Sequence, residues 1–113
     1  MIDLEINRVL AHPLITRSKA NNARGTYWVQ IGTLKTEILI MLTPSAEKPG
    51  WFDFRISHTI KTPLQAVPYH PINRSGSSRA NALHIALRTI LHQYRTAINN
   101  GLTPGEDWLV WQL

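Results

Sequence analysis

The strongest constraint on the fold is one long helical pattern that runs from Arg79 to Asn99. Its apolar side chains recur every three or four residues and share one arc: Leu83, Leu87, Ile90, Leu91, Tyr94 and Ile98. Ser77 or Ser78 supplies a cap in front of this helix, and Asn100-Gly101 supplies a left-handed stop behind it. The sequence therefore predicts a helix over 79–99 with one face in the protein core.

Strand patterns occur on both sides of this helix. Alternation or short apolar runs predict strands over 2–6, 26–31, 35–42, 51–60 and 108–113, with a hairpin turn at Gly32-Thr33. The polar segments 17–25 and 43–50 are predicted as loops, and three prolines make 61–78 irregular or at best an edge strand. We therefore expect one α+β domain over 1–113: a mainly antiparallel sheet of four to five strands, the long C-terminal helix on one face, and a short final strand.

The composition excludes several classes of protein. The chain has no cysteine, which rules out disulfide scaffolds, cysteine nucleophiles and thiolate zinc sites. The longest apolar run, 38–42, is too short to cross a bilayer, and the first residues are acidic where a signal peptide would be basic. We expect a cytoplasmic protein without a membrane partner.

Charge is distributed unevenly along the chain. The net charge is +5, yet no Asp or Glu occurs between Asp53 and Glu106 or between Ile6 and Thr36. Such segregation favours a positive surface, and hence nucleic acid or an acidic protein surface as a partner. A solvated basic surface without a polyanionic partner is the alternative.

The predicted helix has a second, basic face beside its apolar one. His84, Arg88, His92 and Arg95 lie on this arc with Asn81 and Asn99, and no acid interrupts them. Like charges at this spacing destabilise an isolated helix slightly, whereas a row of cationic donors matches a phosphate backbone.

The amino end of the helix is a second candidate anion site. Arg74, Ser75, Ser77 and Arg79 surround Gly76 and Ser78, where free backbone N–H groups and the helix dipole favour an anion. The segment lacks the second glycine and the Gly-Lys-Ser/Thr ending of a nucleotide-hydrolysing phosphate loop. A serine cap and a glycine turn are the alternative, and both roles are compatible.

Catalysis has weaker support in the sequence. His58 falls on the apolar face of its strand, which is typical of a histidine in the core or at its rim, and His70 lies in an irregular segment. No metal-ligand motif or serine nucleophile elbow is present. We expect no metal and no cofactor, and under an enzymatic hypothesis His58, His70 and Asp53 are the residues to test first.

The tryptophans are the last candidates for a binding role. Trp28 and Trp51 are assigned to the core or its edge, whereas Trp108 and Trp111 face opposite sides of one strand, so that one of them is exposed. Exposed aromatic rings beside basic residues would stack the bases of a single strand, or would mark a protein contact such as a homodimer interface.

These features rank three functions. The first is a small, non-enzymatic nucleic-acid-binding protein that contacts mainly phosphates. Its proposed contacts are Arg17, Lys19, Arg24, Arg74, Ser75, Ser77, Arg79, His84, Arg88, His92 and Arg95. The second is a small inhibitor or adaptor, of phage, mobile-element or accessory type, whose basic face covers an acidic site on a partner protein. The third is a small hydrolase or nuclease.

Overall fold

A long helix packs across one face of an antiparallel sheet in the computed structural model, which describes residues 3–113. The elements in chain order are α1 (Leu4–Leu10), β1 (Ile15–Asn21), β2 (Thr26–Ile31), β3 (Ile38–Pro44), β4 (Phe52–Ile56), β5 (His58–Ile60), β6 (Ser75–Gly76), α2 (Arg79–Asn99), a 3-10 turn (Glu106–Trp108) and β7 (Leu109–Trp111). The predicted α+β architecture is confirmed. No helix within residues 3–113 has the length and apolar character needed to cross a membrane.

The main sheet has five strands in the order β1-β2-β3-β4-β6, and all neighbours are antiparallel. Alternate side chains of β2 and β3 are buried beneath α2, among them Tyr27, Val29, Ile38 and Ile40. The residues between them face the opposite side, which we call the outer sheet face. The sheet therefore has one face in the core and one face toward solvent.

Helix α2 matches its prediction closely. Ser78 caps its start by accepting a hydrogen bond from the Asn81 N–H at 3.0 Å, and Asn100 caps its end. Gly101 follows with a φ of 81°, the left-handed conformation predicted for the stop. The apolar arc is buried against the sheet, with Leu83, Leu87 and Ile90 at most 1% exposed. These apolar contacts hold the helix and the sheet together.

The predicted strand over 51–60 is divided by a bend at Ser57. The Ser57 Oγ accepts a hydrogen bond from the Leu39 N–H at 2.8 Å, while the Ser57 N–H donates to the Leu39 carbonyl at 2.8 Å. Ile56 and Ser57 are both buried, so the expected alternation fails at this point. Beyond the bend, β5 leaves the main sheet and pairs with β7 in a separate two-stranded sheet.

The predicted strand at the amino terminus is wrong over its described part, because residues 4–10 form α1; Ile2 lies outside the described residues. Asp3 Oδ1 accepts hydrogen bonds from the N–H groups of Glu5 and Ile6, at 3.1 and 3.0 Å. This side chain satisfies donors that a helix leaves unpaired at its start. Ile6 is buried while Leu4 is 68% exposed, so the two residues do not share the single buried face that a strand would give them.

The predicted loop over 17–25 is also wrong for its first half. Residues 15–21 form β1, which pairs with β2 through partners such as Lys19 and Trp28. Every residue from Thr16 to Asn21 is exposed. A strand at the sheet edge that is solvated on both sides has no apolar alternation, so its composition resembles that of a loop. Residues 22–25 form the predicted turn.

Two glycines allow close packing against α2. Gly76 lies on β6 opposite Phe52, and a Cβ at this position would lie 2.4 Å from the Ala82 backbone nitrogen. Gly32 has a φ of 53°, and its missing side chain makes room for the Tyr94 hydroxyl, which accepts a hydrogen bond from the Thr33 N–H at 3.3 Å. Backbone contacts at both positions depend on the absence of a side chain.

Glu106 anchors the segment between β2 and β3. Its carboxylate accepts hydrogen bonds from the N–H groups of Lys35 and Thr36, at 2.9 and 3.0 Å, and from the Thr36 hydroxyl at 2.7 Å. These hydrogen bonds stabilise the ionised carboxylate and lower the pKa of Glu106. The turn before β7 is thereby tied to the main sheet.

Candidate functional site

The basic face of α2 forms one wall of a groove whose other wall comes from the amino-terminal end of the chain. Val9 of α1 and His12, which follows it, face α2 across this groove. The lining from α2 includes His84, Arg88, His92 and Arg95, and among residues 3–113 no carboxylate lines the groove. The groove encloses about 160 Å³, so it holds more than the single water that ~15 Å³ would accommodate.

The His12 ring faces this groove. Its Nδ1 accepts a hydrogen bond from the Leu14 N–H at 3.1 Å, which favours the neutral tautomer with the proton on Nε2. That Nε2 lies 3.5 Å from Nη2 of Arg95, which is also a donor. In the tautomer with the proton on Nε2 both groups are donors, and an anionic oxygen at this place would accept from both.

The electrostatic environment of His12 agrees with this geometry. Burial lowers the pKa of His12, and the positive charges of Arg95 and His84 lower it further. The ring is therefore less readily protonated than a histidine in water. A bound anion would compensate the neighbouring positive charges and reverse part of this effect.

The predicted anion site at the amino end of α2 is built differently from the groove. Arg79 Nη1 donates to the Asn22 carbonyl at 2.7 Å, and the guanidinium lies 5.4 Å from the Phe52 ring centre. The Ser77 N–H donates to Asn81 Oδ1 at 3.0 Å, and Ser75 belongs to β6. The Arg79 contacts join α2 to β4 and to the turn after β1, the Ser77 contact stays within the start of α2, and the Arg74 side chain is exposed. The capping role is confirmed, and the phosphate contact stays a prediction.

Two of the three predicted contacts in 17–24 lie on the sheet and not in the predicted loop. Arg17 and Lys19 belong to β1, opposite Gln30 and Trp28 of β2, and both are exposed. Arg24 lies in the turn that follows, and its side chain is exposed. The structure therefore gathers His84, Arg88, His92 and Arg95 at the groove, and places Arg17 and Lys19 on the outer sheet face.

The residues named for catalysis do not form an evident active site. His58 Nδ1 lies 2.7 Å from the buried Ser57 Oγ, and its ring packs edge-on against Trp111 with centroids 5.2 Å apart. Burial lowers the pKa of His58. Asp53 and His70 are exposed. Within residues 3–113, no group of three or more His, Asp or Glu side chains is arranged to hold a metal ion.

The tryptophans occupy two kinds of environment. Trp108 is buried against Tyr94, and Trp111 is 62% exposed, so the prediction that one of this pair is exposed is confirmed. Trp51 is half-buried beneath Lys48, whose Nζ lies 4.4 Å from its ring centre. Trp28 is half-buried on the outer sheet face, between Lys19 of β1 and Leu39 of β3.

The sequence did not identify two surface residues, His12 in the groove and Trp28 on the outer sheet face. His12 gives no local signal, because its neighbours in the groove come from the other end of the chain. Trp28 does give a local signal, because it alternates with Tyr27, Val29 and Ile31, which are buried. It therefore lies on the same side of β2 as the polar residues Thr26 and Gln30. An aromatic side chain on the polar side of a strand indicates a ring at the surface.

Comparison with known proteins adds no assignment to this geometry. The chain matches no family model, no curated protein and no solved structure.

Proposed function

We propose that this protein binds nucleic acid without acting on it, and that the groove between α1 and α2 contacts the phosphate backbone. The observation that carries the proposal is the lining of the groove, which contains no carboxylate among residues 3–113 and brings His12 Nε2 to 3.5 Å from Arg95 Nη2. Arg88, His84 and His92 extend this set of donors along α2. Phosphate oxygens are acceptors only, and they recur along a nucleic acid as basic side chains recur along this helix.

The alternative, a solvated basic surface, would not require the arrangement around His12. Across the groove His12 Nε2 lies 3.5 Å from Arg95 Nη2, and no carboxylate of the lining balances the positive charges. Like charges such as those of Arg88 and Arg95, close together without a carboxylate, lower the stability of the fold. Loss of stability of this kind is typical of sites that bind a group of opposite charge.

Salt dependence tests the proposal. Each phosphate contact contributes about −0.9 to the slope of log K against log salt on duplex DNA. We expect the double variant Arg88→Ala/Arg95→Ala to flatten this slope by about two units without unfolding, because both side chains are exposed. Fluorescence anisotropy of a labelled duplex between about 50 and 200 mM salt measures the slope.

The matched control is Lys35→Ala/Lys48→Ala, which removes the same charge from exposed positions outside the groove. This control should lower the affinity slightly and leave the slope nearly unchanged. Equal flattening in the two double variants would show that only net charge matters. Absence of binding to duplex and single strands at the lower salt would remove the proposal.

Binding should also strengthen in acid. The pKa of His12 is lowered by burial and by Arg95 and His84, and a bound phosphate would raise it. Because the complex then takes up protons, affinity should rise as the pH falls from about 7.5 to 5.5, through the ordinary histidine range.

Anisotropy titrations of wild type and His12→Gln at both pH values isolate the contribution of His12. We expect the rise in affinity between the two pH values to be smaller in the variant than in the wild type. A variant with the full pH dependence of the wild type would exclude His12 from the contact.

A second candidate function, an adaptor that binds a partner protein, is favoured by a different surface. Three large apolar side chains of the irregular segment 61–74 are strongly exposed: Leu64, Val67 and Ile72, the last at 102%. Neighbouring exposed apolar side chains are typical of protein contacts. Under this function the basic groove would lie against an acidic region of the same partner, and free oligonucleotides would not bind.

A further inference from the structure

A shallow depression lies on the outer sheet face, on the side of the sheet away from α2. Trp28 occupies its centre, with Lys19 opposite on β1 and Leu39 opposite on β3. Arg17, Gln30 and Glu37 complete the rim of a shallow depression around the ring. We call these five polar and aromatic residues, Arg17, Lys19, Trp28, Gln30 and Glu37, the Trp28 patch.

The Trp28 patch combines an aromatic ring with cations on one side. Arg17 and Lys19 both belong to β1 and are exposed, so their charges are available to a ligand that lies over the ring. Trp28 is only half-buried although it is the largest side chain of this face. A flat, apolar ring flanked by positive charges suits a ligand that is itself flat and carries a negative charge at one end.

The patch also offers two hydrogen-bond acceptors, one on β2 beside the ring and one just before β3. Gln30, the partner of Arg17 in the sheet register, donates from Nε2 to the Lys35 carbonyl at 2.7 Å, which orients the amide and leaves its Oε1 for a ligand. Glu37 contributes an exposed carboxylate. These two acceptors select a ring with hydrogen-bond donors along one edge.

We propose that the Trp28 patch binds an unpaired guanine nucleotide of a single-stranded nucleic acid. The base would stack on Trp28, the adjacent phosphates would contact Arg17 and Lys19, and the imino and amino donors of guanine would face Glu37 and Gln30. Adenine and cytosine offer an amino donor beside an acceptor, and uracil and thymine offer one imino donor, so each matches two acceptors less well. In a duplex, stacking and pairing occupy the same ring face and edge, which restricts the site to unpaired bases.

This inference rests on the proposed function, because it names a partner for the same protein, yet it uses different residues. The Trp28 patch and the groove lie on opposite sides of the sheet, so a short oligonucleotide reaches one of them at a time. Labelled hexanucleotides of the sequence UUGUUU, UUAUUU and UUCUUU therefore test the patch, while a labelled duplex tests the groove.

The variants separate stacking from base selection. We expect Trp28→Ala to weaken binding of UUGUUU about tenfold, within the range of one lost stacking contact, and Trp28→Phe to restore most of it. Glu37→Gln should remove the preference for UUGUUU over UUAUUU, which we expect to be about tenfold in the wild type. Glu37 is exposed, so its replacement leaves the fold intact.

The outcomes for the two sites are distinguishable. Unchanged UUGUUU affinity in Trp28→Ala, or equal affinity of the wild type for the three hexanucleotides, would overturn the guanine site. Duplex binding that still depends on Arg88 and Arg95 would leave the proposed function standing in that case. Circular dichroism melting of Trp28→Ala and Trp28→Phe shows whether both variants are folded, and Glu37→Gln provides the test if Trp28→Ala is not.

Discussion

Replacement of Gly76 by alanine is expected to lower the free energy of unfolding by about 3 kcal/mol, near the upper end for overpacked sites. The new Cβ would lie 2.4 Å from the Ala82 backbone nitrogen and 2.5 Å from the Ala82 Cα. Backbone atoms within a helix cannot turn aside as a flexible side chain can. Either β6 would separate from β4, or the first turn of α2 would move away from the sheet.

Chemical denaturation with urea, followed by circular dichroism, measures this loss. Gly101→Ala is the matched control, because a Cβ there meets no atom within 4 Å and only the positive φ of 81° opposes it. We expect Gly101→Ala to lower the free energy of unfolding by about 1 kcal/mol, because alanine is strained in the left-handed conformation. Equal stability of the two variants would mean that β6 does not pack tightly on α2.

Truncation of Tyr94 to alanine is expected to lower the free energy of unfolding by about 3 to 5 kcal/mol, as truncation of other buried aromatic side chains does. The ring is 3% exposed and packs edge-on against Trp108 with centroids 5.8 Å apart. It therefore connects α2 with the turn that precedes β7. Its hydroxyl lies over Gly32 and accepts from the Thr33 N–H, which connects the same helix with the end of β2.

Tyr94→Phe separates the contribution of the ring packing from that of the hydroxyl hydrogen bond. The phenyl ring keeps the packing against Trp108 and loses only one hydrogen bond at 3.3 Å, so we expect a loss of about 1 kcal/mol. The near-ultraviolet circular dichroism of Trp108 should be retained in this variant and lost in Tyr94→Ala. If the phenylalanine variant were as unstable as the alanine variant, the hydroxyl contact would outweigh the packing of the ring.

The parts of the fold that could be predicted carry a local and repeated signal. Helix α2 combines a long apolar arc with a serine cap and a glycine stop, and each signal gives the same boundaries. Strand β2 alternates over its whole length, and the structure buries Tyr27, Val29 and Ile31 as the alternation predicts.

The errors concern elements whose local pattern was short or polar, so that a capping side chain, burial or pairing with a neighbouring strand decided the structure. Five residues of alternation at the amino terminus fit a strand, but the Asp3 cap and the burial of Ile6 favour α1. Strand β1 exists because β2 offers it a hydrogen-bonding partner, and nothing in its polar composition indicates that.

The residues of the candidate sites also differ in whether the sequence could predict their positions. The four basic residues of α2 could be predicted as one face because the helical period alone determines it. The position of His12 could not, since it depends on how α1 packs against α2. Trp28 could have been assigned to the outer sheet face from its phase, and only the register shows that Lys19 lies opposite.

The polar edge strand β1 has a consequence for how the protein behaves at high concentration. Unpaired backbone groups along a sheet edge invite another chain to add a strand, and repeated addition leads to aggregation. A second copy that approached β1 would bring its own Arg17 and Lys19 toward the same charges. The side chains that would contact a nucleic acid on one face thus also protect the edge, and we expect like-charge repulsion, rather than a covering loop, to oppose the addition of a second copy.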